Sequence, residues 1–203
     1  DVTGVQPCAL PISIWREPLK HAYGSDEIVT FGPPGSGVSL VQMLTMLRML
    51  RDRHGAASAA DEAHILLEVM RCVYADRRVT VGDPAHVHVP LEGLLDSRYL
   101  AERCRAFDPA RAQERWEPGN PWQYEPTWTG SSARPTPRVG LEGQGQTTHF
   151  TVADRWGNVV AATATIESLF GSGIMVPGIG LLLNNQMSDF NEYPSGPNQV
   201  RPG

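Results

Sequence analysis

Residues 143–190 read GQGQTTHFTVADRWGNVVAATATIESLFGSGIMVPGIGLLLNNQMSDF, and this stretch decides the fold. Its first part alternates polar and apolar side chains with period two, which is typical of a half-buried strand. We predict one strand from Thr147 to Ala153 and a second from Val159 to about Ile166. The segment between them, Asp154–Asn158, has the composition of a type I turn followed by a left-handed glycine. The sequence therefore predicts an antiparallel hairpin.

The register of this hairpin follows from the turn. If Asp154 faces Asn158, the numbers of opposed residues sum to 312, so Thr147 lies opposite Thr165. One face is rich in hydroxyl groups, and the other has the composition of a core. The apolar face is made by Thr148, Phe150, Val152, Val160, Ala162, Ala164 and Ile166. A slip of one residue would exchange the two faces, so the apolar set favours this pairing.

Several short motifs resemble one known family. They are QTTH at 146–149, FGSGI at 170–174, LNNQMSDF at 183–190, PPGSG at 33–37, YADR at 74–77 and GDP at 82–84. Together they resemble the γ-glutamyltranspeptidase family over roughly residues 15–203. The resemblance implies an α+β fold of the layered αββα N-terminal-nucleophile hydrolase type, which we expect to be incomplete in this chain.

The resemblance also implies a catalytic role for Thr147. A threonine hydroxyl is a weak nucleophile and needs a nearby base, which a free α-amine on the same residue can supply. That amine exists only after cleavage of the Gln146–Thr147 bond, so the family pattern implies autocleavage of a precursor there. Thr165 corresponds to the second threonine of the family, which hydrogen-bonds the nucleophile.

Two carboxylates match family positions that bind the α-amino group of the substrate, Glu167 and Asp189. A charge-assisted hydrogen bond to an ammonium group suits both. From the residues alone, Glu167 could equally be a solvated charge at a strand end and Asp189 a helix cap. We expect Asn184, Asn185 and Gln186 to hold loops through bonds to the backbone.

The activity implied is γ-glutamyl transfer or hydrolysis on glutathione and other γ-glutamyl amides, through an acyl-enzyme that water or an acceptor amine resolves. The resemblance implies a heterodimer of large and small subunits after cleavage, no cofactor or metal, and a periplasmic, secreted or membrane-anchored location. Alternatives are an acylase of the same fold for glutaryl or cephalosporin side chains, a poly-γ-glutamate depolymerase, and a non-enzymatic helical-hairpin binding module.

Three regions are expected along the chain. Residues 1–13 resemble a translated sequencing adapter and are expected to be non-native. Residues 14–146 would be the C-terminal part of the large subunit with its processing loop, and residues 147–203 the N-terminal part of the catalytic small subunit. In the family, the oxyanion-hole residues and the arginine for the substrate carboxylate lie outside this stretch. We therefore expect an internal fragment that is inactive alone.

Upstream of the hairpin the pattern is mainly helical. We expect a strand at Glu27–Phe31, a helix with Ser39 as N-cap ending at Gly55, and a helix from Ser58 to about Arg77 packed on it. Two short helices follow, Pro90–Leu95 and Ser97–Phe107. The first long helix should bury Leu40, Met43, Leu44, Leu47 and Leu50, and the second Ile65, Leu66, Val69, Cys72 and Val73.

Composition limits the remaining functions. A formal charge of −5 without a basic cluster argues against a nucleic-acid surface, and no apolar run approaches a membrane span of about 20 residues. The three cysteines do not have zinc-site spacing. His86 and His88 alternate as strand ligands would, but lack a third ligand nearby. In the long connection 108–146, the tryptophans are expected to anchor the chain to the helical body.

Overall fold

The computed structural model describes residues 15–55, 58–126, 128–129, 147–190 and 196–199. Two units are distinguished, residues 1–135 and residues 136–203. Both helices and sheets are present, as expected for the α+β class. The adapter-like segment 1–13 and Gln146 lie outside the described residues. The division into subunit parts at residue 146 stays a prediction.

The first unit begins with a hairpin of which the sequence predicted one strand. Strand β1, Pro18–Tyr23, pairs antiparallel with β2, Asp26–Phe31. Helices α1, Gly37–His54, and α2, Ala59–Thr80, follow. The short helices α3, Leu91–Leu95, and α4, Ser97–Arg105, then precede a 3₁₀ helix, Pro121–Tyr124. The predicted order of the four helices is confirmed.

Helix α1 starts three residues earlier than predicted. Ser36 occupies the N-cap position, and Ser39 lies inside the helix with only 3% of its surface exposed. The early start depends on Gly37, where an added Cβ would lie 2.0 Å from the carbonyl oxygen of Phe31. Since only glycine permits this approach, the first turn of α1 packs directly on the end of β2.

The buried face of α1 is broader than the leucine pattern predicted. Leu47 and Leu50 are buried as expected, but Leu40 is 46% exposed. Helix α1 contacts the β1–β2 hairpin and α2, α3 and α4, so residues on several sides are enclosed. The additional buried residues are Val38, Ser39, Val41, Gln42, Thr45 and Met46. Gln42 is satisfied there, because its Nε2 donates to the Leu94 carbonyl at 3.0 Å.

Helix α2 is capped as predicted and runs three residues further. The Ser58 hydroxyl accepts the Asp61 N–H at 3.2 Å, and the helix ends at Thr80. Leu66 is 43% exposed, contrary to prediction, while the other four residues of the expected stripe are buried. Cys72 is one of them, and burial raises the pKa of its thiol to about 12. A thiol held neutral in this way packs as a small apolar side chain.

A buried carboxylate on α2, Glu68, anchors the start of the connection 108–146. Its Oε2 accepts the Gln113 N–H at 3.0 Å and the Trp116 Nε1–H at 2.9 Å. Arg71 donates to Oε1 at 2.5 Å and also to the carbonyl oxygens of Gln113 and Glu114. The expectation that the tryptophans anchor this connection is thus confirmed for Trp116.

A second buried carboxylate, Asp76, anchors the next part of the connection. It accepts hydrogen bonds from the Tyr99 hydroxyl at 2.7 Å and from the Gly119 N–H at 2.7 Å, and pairs with Arg103 at 3.0 Å. Burial alone would lower the pKa of the Arg103 guanidinium, but the Asp76 charge raises it above its usual value. Asp76 thus ties the end of α2 to α4 and to the connection through one ion pair and two hydrogen bonds.

The second unit contains the predicted hairpin. Strand β3, Thr148–Ala153, pairs antiparallel with β4, Val159–Ala164. A shorter hairpin, β5 Met175–Val176 and β6 Leu181–Leu182, leads to a 3₁₀ helix, Gln186–Asp189. The apolar face of β3 and β4 is not buried within this unit, since Phe150, Val152 and Val160 are 48%, 58% and 60% exposed. A two-stranded sheet offers too few neighbours to cover it.

Replacing Glu68 with glutamine should destabilise the helical unit by about 1.5–3 kcal/mol, because hydrogen bonds to a buried charge are lost. Burial alone would raise the pKa of Glu68, but the hydrogen bonds it accepts from the backbone, the tryptophan and the arginine hold the pKa below 4.5. A carboxyl group whose pKa is lower in the folded state contributes stability that is fully present above pH 4.5 and declines as the pH falls below 4.5. Urea unfolding of this chain, followed by tryptophan fluorescence from pH 7 to pH 3, should show the wild-type advantage shrinking below pH 4.5.

The exposed residue Glu27 on β2 offers a matched control for this substitution. Glu27→Gln should leave the urea midpoint unchanged across the same pH range. Equal midpoints for wild type and Glu68→Gln at pH 7 would show that the anchored carboxylate contributes nothing to stability.

Candidate active site

A tight turn sets the geometry of the β3–β4 hairpin. The Asp154 N–H donates to the Asn158 carbonyl at 3.0 Å, and the Asp154 carboxylate accepts the N–H groups of Trp156 and Asn158, both at 2.9 Å. Gly157 has φ 87°, so it adopts the left-handed conformation that the sequence predicted. The side-chain amide of Asn158 and these backbone donors hold the pKa of the Asp154 carboxyl below its usual value. The turn therefore fixes which residues are opposed.

The observed register matches the prediction throughout the hairpin. His149 is paired with Thr163 and Thr151 with Ala161, so opposed residues sum to 312. At the open end, the Thr147 hydroxyl donates to the Thr165 hydroxyl with 3.2 Å between the two oxygens. The two threonines that the turn geometry placed opposite each other are thus in hydrogen-bond contact. Both threonines are exposed.

The backbone after β4 orients Thr165. The Glu167 N–H donates to the Thr165 Oγ1 at 2.9 Å, so this oxygen accepts both from the nucleophile candidate and from the main chain. Glu167 has φ 73°, and among the described residues no other non-glycine residue has a positive φ. Such a conformation is uncommon for a residue with a side chain, and strained residues of this kind cluster at functional sites.

Asn185 joins the segment after β4 to the segment that carries Asp189. Its Oδ1 accepts the Ser168 N–H at 2.9 Å, and its Nδ2 donates to the Ser168 hydroxyl at 2.9 Å and the Ser188 hydroxyl at 3.3 Å. The Asn185 N–H also donates to the Ile166 carbonyl at 3.3 Å. The expected loop-holding role of this asparagine is confirmed. The residues flanking Glu167 and the 3₁₀ helix ending at Asp189 are therefore held together.

Asp189 is exposed at the end of that 3₁₀ helix. The Gln186 side-chain amide donates to its Oδ2, and the Gln186 N–H donates to the Asn184 Oδ1 at 3.0 Å. One carboxylate oxygen of Asp189 is thus oriented by a neighbour within its own turn. Among the described residues, no hydrogen bond to the second oxygen, Oδ1, is found, so Oδ1 can accept one from a ligand.

The glycine-rich segment 170–174 positions the chain before Asn184. A Cβ on Gly171 would lie 2.1 Å from the Leu183 carbonyl oxygen, and the Ser172 N–H donates to that oxygen at 2.9 Å. Any side chain at position 171 would push the two segments apart. This close approach explains the glycine at 171, and it joins the glycine-rich segment to Leu183, the first residue of the LNNQMSDF motif.

The sequence interpretation did not assign His149 to the site, but this residue lies on the hydroxyl-rich face of the hairpin. His149 Nδ1 lies 2.8 Å from the Thr163 hydroxyl, so a histidine–threonine pair lies beside the pair of threonines. The sequence could have indicated this residue, because His149 is two residues after Thr147 and therefore lies on the same face of the strand.

The alternating histidines of the first unit do not form a metal site with other described residues. His88 stacks on Trp128 with ring centroids 5.0 Å apart, and its Nε2 lies 3.9 Å from the Glu125 carboxylate. Within the described ranges, no group of three histidine, cysteine or acidic side chains has a geometry that could hold a metal ion. None of the helices in the described part of the chain has the length and hydropathy needed to cross a bilayer.

Comparisons with known proteins identify close sequence relatives. A glutathione hydrolase proenzyme of Bacillus subtilis (strain 168) is 42% identical over 187 residues, covering 92% of this chain and 32% of the relative. An acylase ACY 1 proenzyme of Pseudomonas sp. (strain SE83) is 36% identical over 191 residues, covering 93% of this chain and 30% of the relative. This chain therefore spans about a third of the length of the curated relatives it matches.

A solved structure supports the fold. The crystal structure of cephalosporin acylase from Bacillus halodurans matches 94% of this chain and 30% of its own chain, with a TM-score of 0.71 and 25% identity. The sequence model of the gamma-glutamyltranspeptidase family matches residues 13–203. The chain belongs to the gamma-glutamyltranspeptidase family.

Proposed function

We propose that Thr147 is the N-terminal nucleophile of a γ-glutamyl transferase or hydrolase. The observation that carries this proposal is the 3.2 Å hydrogen bond from the Thr147 hydroxyl to the Thr165 hydroxyl at the open end of the hairpin. Thr165 is itself fixed by the Glu167 N–H, so it can orient the nucleophile without giving up a proton. Thr165 is thus a positioning residue, and the base must come from elsewhere.

The base in the mature enzyme is the α-amine of Thr147, released by autocleavage. The Thr147 hydroxyl attacks the Gln146 carbonyl carbon, the C–N bond breaks, and the amide becomes an ester with a free amine. Water then hydrolyses the ester and leaves Thr147 as a new N-terminus. An α-amine has an ordinary pKa of about 7.7–8.0, so a useful fraction is neutral and can accept the hydroxyl proton near physiological pH.

The substrate class we propose is γ-glutamyl amides, with glutathione as the prime example. Relatives named glutathione hydrolase proenzyme support this choice. The Thr147 hydroxyl attacks the γ-carbonyl and forms an acyl-enzyme, which water resolves to glutamate or an acceptor amine resolves to a new γ-glutamyl compound. The two chains produced by cleavage stay together as large and small subunits.

Glu167 and Asp189 are proposed to bind the substrate α-amino group. The Asn185 contacts hold the segments that carry these two carboxylates next to each other, close to the orienting Thr165. Two carboxylates that converge on one ammonium group make charge-assisted hydrogen bonds, which are stronger than neutral ones. Substrates with a free α-amine would therefore be selected.

An acylase of the same fold is the second candidate. The 36% identical acylase ACY 1 proenzyme and the match to cephalosporin acylase favour it. An acylase that takes glutaryl side chains would not need to bind an α-amino group. The two candidates share the nucleophile and differ in what Glu167 and Asp189 do. Family membership weighs against a purely structural helical-hairpin module.

Mass spectrometry of the full-length protein tests the nucleophile. The wild type should yield two chains, with the second beginning at Thr147, and Thr147→Ala should remain a single chain because the attacking hydroxyl is gone. Thr151→Ala is a matched control, because Thr151 lies on the same strand and faces Ala161. It should be cleaved like the wild type. An intact wild-type chain would exclude the N-terminal nucleophile.

Substrate profiling distinguishes the two candidate functions. We expect the cleaved full-length enzyme to prefer γ-glutamyl-p-nitroanilide over glutaryl-p-nitroanilide, which lacks the α-amine. Asp189→Asn should lower kcat/KM for the γ-glutamyl substrate by about 10- to 100-fold, since a charge-assisted bond contributes about 1.5–3 kcal/mol. The same variant should handle the glutaryl substrate as the wild type does. Wild-type preference for glutaryl would favour the acylase.

The 203-residue chain should not turn over γ-glutamyl-p-nitroanilide by itself. The chain corresponds to about a third of its relatives, and each oxyanion donor missing from a site lowers kcat by about 100- to 1,000-fold. Release of p-nitroaniline is the measurement, with the cleaved full-length enzyme as the positive control. Turnover by the isolated chain would show that its own residues suffice for catalysis.

A further inference from the structure

The backbone of Glu167 adopts a conformation that an ordinary residue does not favour. Its φ of 73° lies in the left-handed region, where a residue with a Cβ is less stable by about 1–2 kcal/mol. This difference corresponds to a factor of about 5–30 in population. Contacts made by neighbouring residues must therefore hold Glu167 in this conformation.

Asn185 contacts the peptide groups on both sides of Glu167. Its side-chain Oδ1 accepts the Ser168 N–H at 2.9 Å, and its own N–H donates to the Ile166 carbonyl at 3.3 Å. A backbone N–H can only donate, so the side-chain oxygen of Asn185 is the atom that faces Ser168. One asparagine thus fixes the chain immediately before and immediately after Glu167.

Asn185 is itself firmly placed. It is the N-cap residue of the 3₁₀ helix Gln186–Asp189, and its carbonyl oxygen accepts the Ser188 N–H at 2.9 Å. Its Nδ2 donates to the hydroxyls of Ser168 and Ser188, at 2.9 and 3.3 Å. Because main chain and side chain are both engaged, the amide cannot turn away from Ser168 without losing several hydrogen bonds.

The conformation of Glu167 affects the two threonines directly. The Glu167 N–H donates to Thr165 Oγ1 at 2.9 Å, and the same oxygen lies 3.2 Å from the Thr147 hydroxyl oxygen. If residue 167 left the left-handed region, its N–H would turn away from Thr165. The Thr165 side chain would then be free to adopt other rotamers, in which its hydroxyl points away from Thr147.

We propose that Asn185 is a positioning residue for the nucleophile; this inference rests on the proposed function, in which the Thr147 hydroxyl attacks the substrate carbonyl. Asn185 acts through the backbone of Glu167, which holds Thr165, and Thr165 in turn orients Thr147. Orientation matters because a misplacement of about 1 Å can lower a rate by about 100-fold. Glu167 then has two separable roles, since its carboxylate binds the substrate amine and its backbone positions the hydroxyls.

A cycle of substitutions at positions 185 and 167 tests this proposal. Asn185→Leu removes the three side-chain hydrogen bonds of the asparagine with little change in volume. Glu167→Gly and Glu167→Ala both lack the carboxylate, but only glycine adopts the left-handed conformation as readily as the right-handed one. The contacts of Asn185 should therefore matter for glutamate and alanine at position 167, and much less for glycine.

The measurement is the first-turnover rate of p-nitroaniline release from saturating γ-glutamyl-p-nitroanilide by the cleaved full-length enzyme. Asn185→Leu should lower this rate by about 5- to 30-fold in the wild type and in Glu167→Ala, since the left-handed population falls by that factor. In Glu167→Gly the same substitution should lower the rate only about 2-fold. The effects at the two positions are then not additive, which indicates direct coupling.

Two controls accompany the cycle. Asn185→Asp should keep most of the wild-type rate, because its Oδ1 still accepts the Ser168 N–H and both serine hydroxyls can donate to the carboxylate. Asn120→Leu makes the same change in the first unit, at an N-cap position whose side chain makes no capping hydrogen bond, and should leave the rate unchanged. Thermal melting of every variant identifies a loss of fold, and Asn185→Ala replaces Asn185→Leu if the latter unfolds.

Equal losses in Glu167→Gly and Glu167→Ala would overturn the proposal, because Asn185 would then not act through the conformation of residue 167. A wild-type rate for Asn185→Leu would also overturn it, and so would unfolding of both Asn185→Leu and Asn185→Ala, which would mark a structural role. Since one hydroxyl performs cleavage and turnover, a folded variant that never cleaves counts as a lost rate. In these cases the proposed function survives if the wild type turns over and Thr147→Ala does not, whereas an inactive wild type would overturn both proposals.

Discussion

The hydrogen bond from the Asp154 N–H to the Asn158 carbonyl is the constraint on which the site depends. Side chains alternate along a strand, so a slip of one residue would place the Thr147 and Thr165 hydroxyls on opposite faces. The carboxylate of Asp154 accepts two further N–H groups within the same turn and resists such a slip. A five-residue turn at one end of the hairpin thus determines the contact between two hydroxyls at the other.

The hairpin was predictable because its register depends on residues close together in the sequence. Much of the helical unit was not predictable, because its buried surfaces depend on contacts between distant elements. Turn chemistry and period-two alternation lie within twenty residues, and they were sufficient to write the register. The buried face of α1 depends on contacts with five other elements, so the leucine spacing misplaced Leu40, and Gln42 became a core residue through a bond to Leu94. Strand β1 was missed because its order depends on pairing with β2.

Other features of the site lie beyond sequence patterns for the same reason. The left-handed conformation of Glu167 follows from contacts on both sides of it, the bond to Thr165 and the Asn185 bonds to the next residue. Local sequence propensity predicts neither the bond to Thr165 nor the bonds from Asn185. The hydrogen-bond donors to Glu68, Gln113 and Trp116, likewise lie 45 and 48 positions further along the chain. The family resemblance supplied Glu167 and Asp189 as candidates. The hydrogen bonds of Asn185 that join their two segments are seen only in the structure.

The hairpin also shows how the chemistry of the site divides between local and long-range structure. The Thr147–Thr165 contact and the His149–Thr163 contact are both made within one supersecondary unit. Stabilising the negative charge of a tetrahedral intermediate is different, because preorganised donors act strongly only where water is excluded. Thr147 and Thr165 are exposed in their unit, and the apolar face behind them is about half exposed. Under the proposed function, the hairpin defines where the reaction occurs but does not itself exclude water from the two hydroxyls.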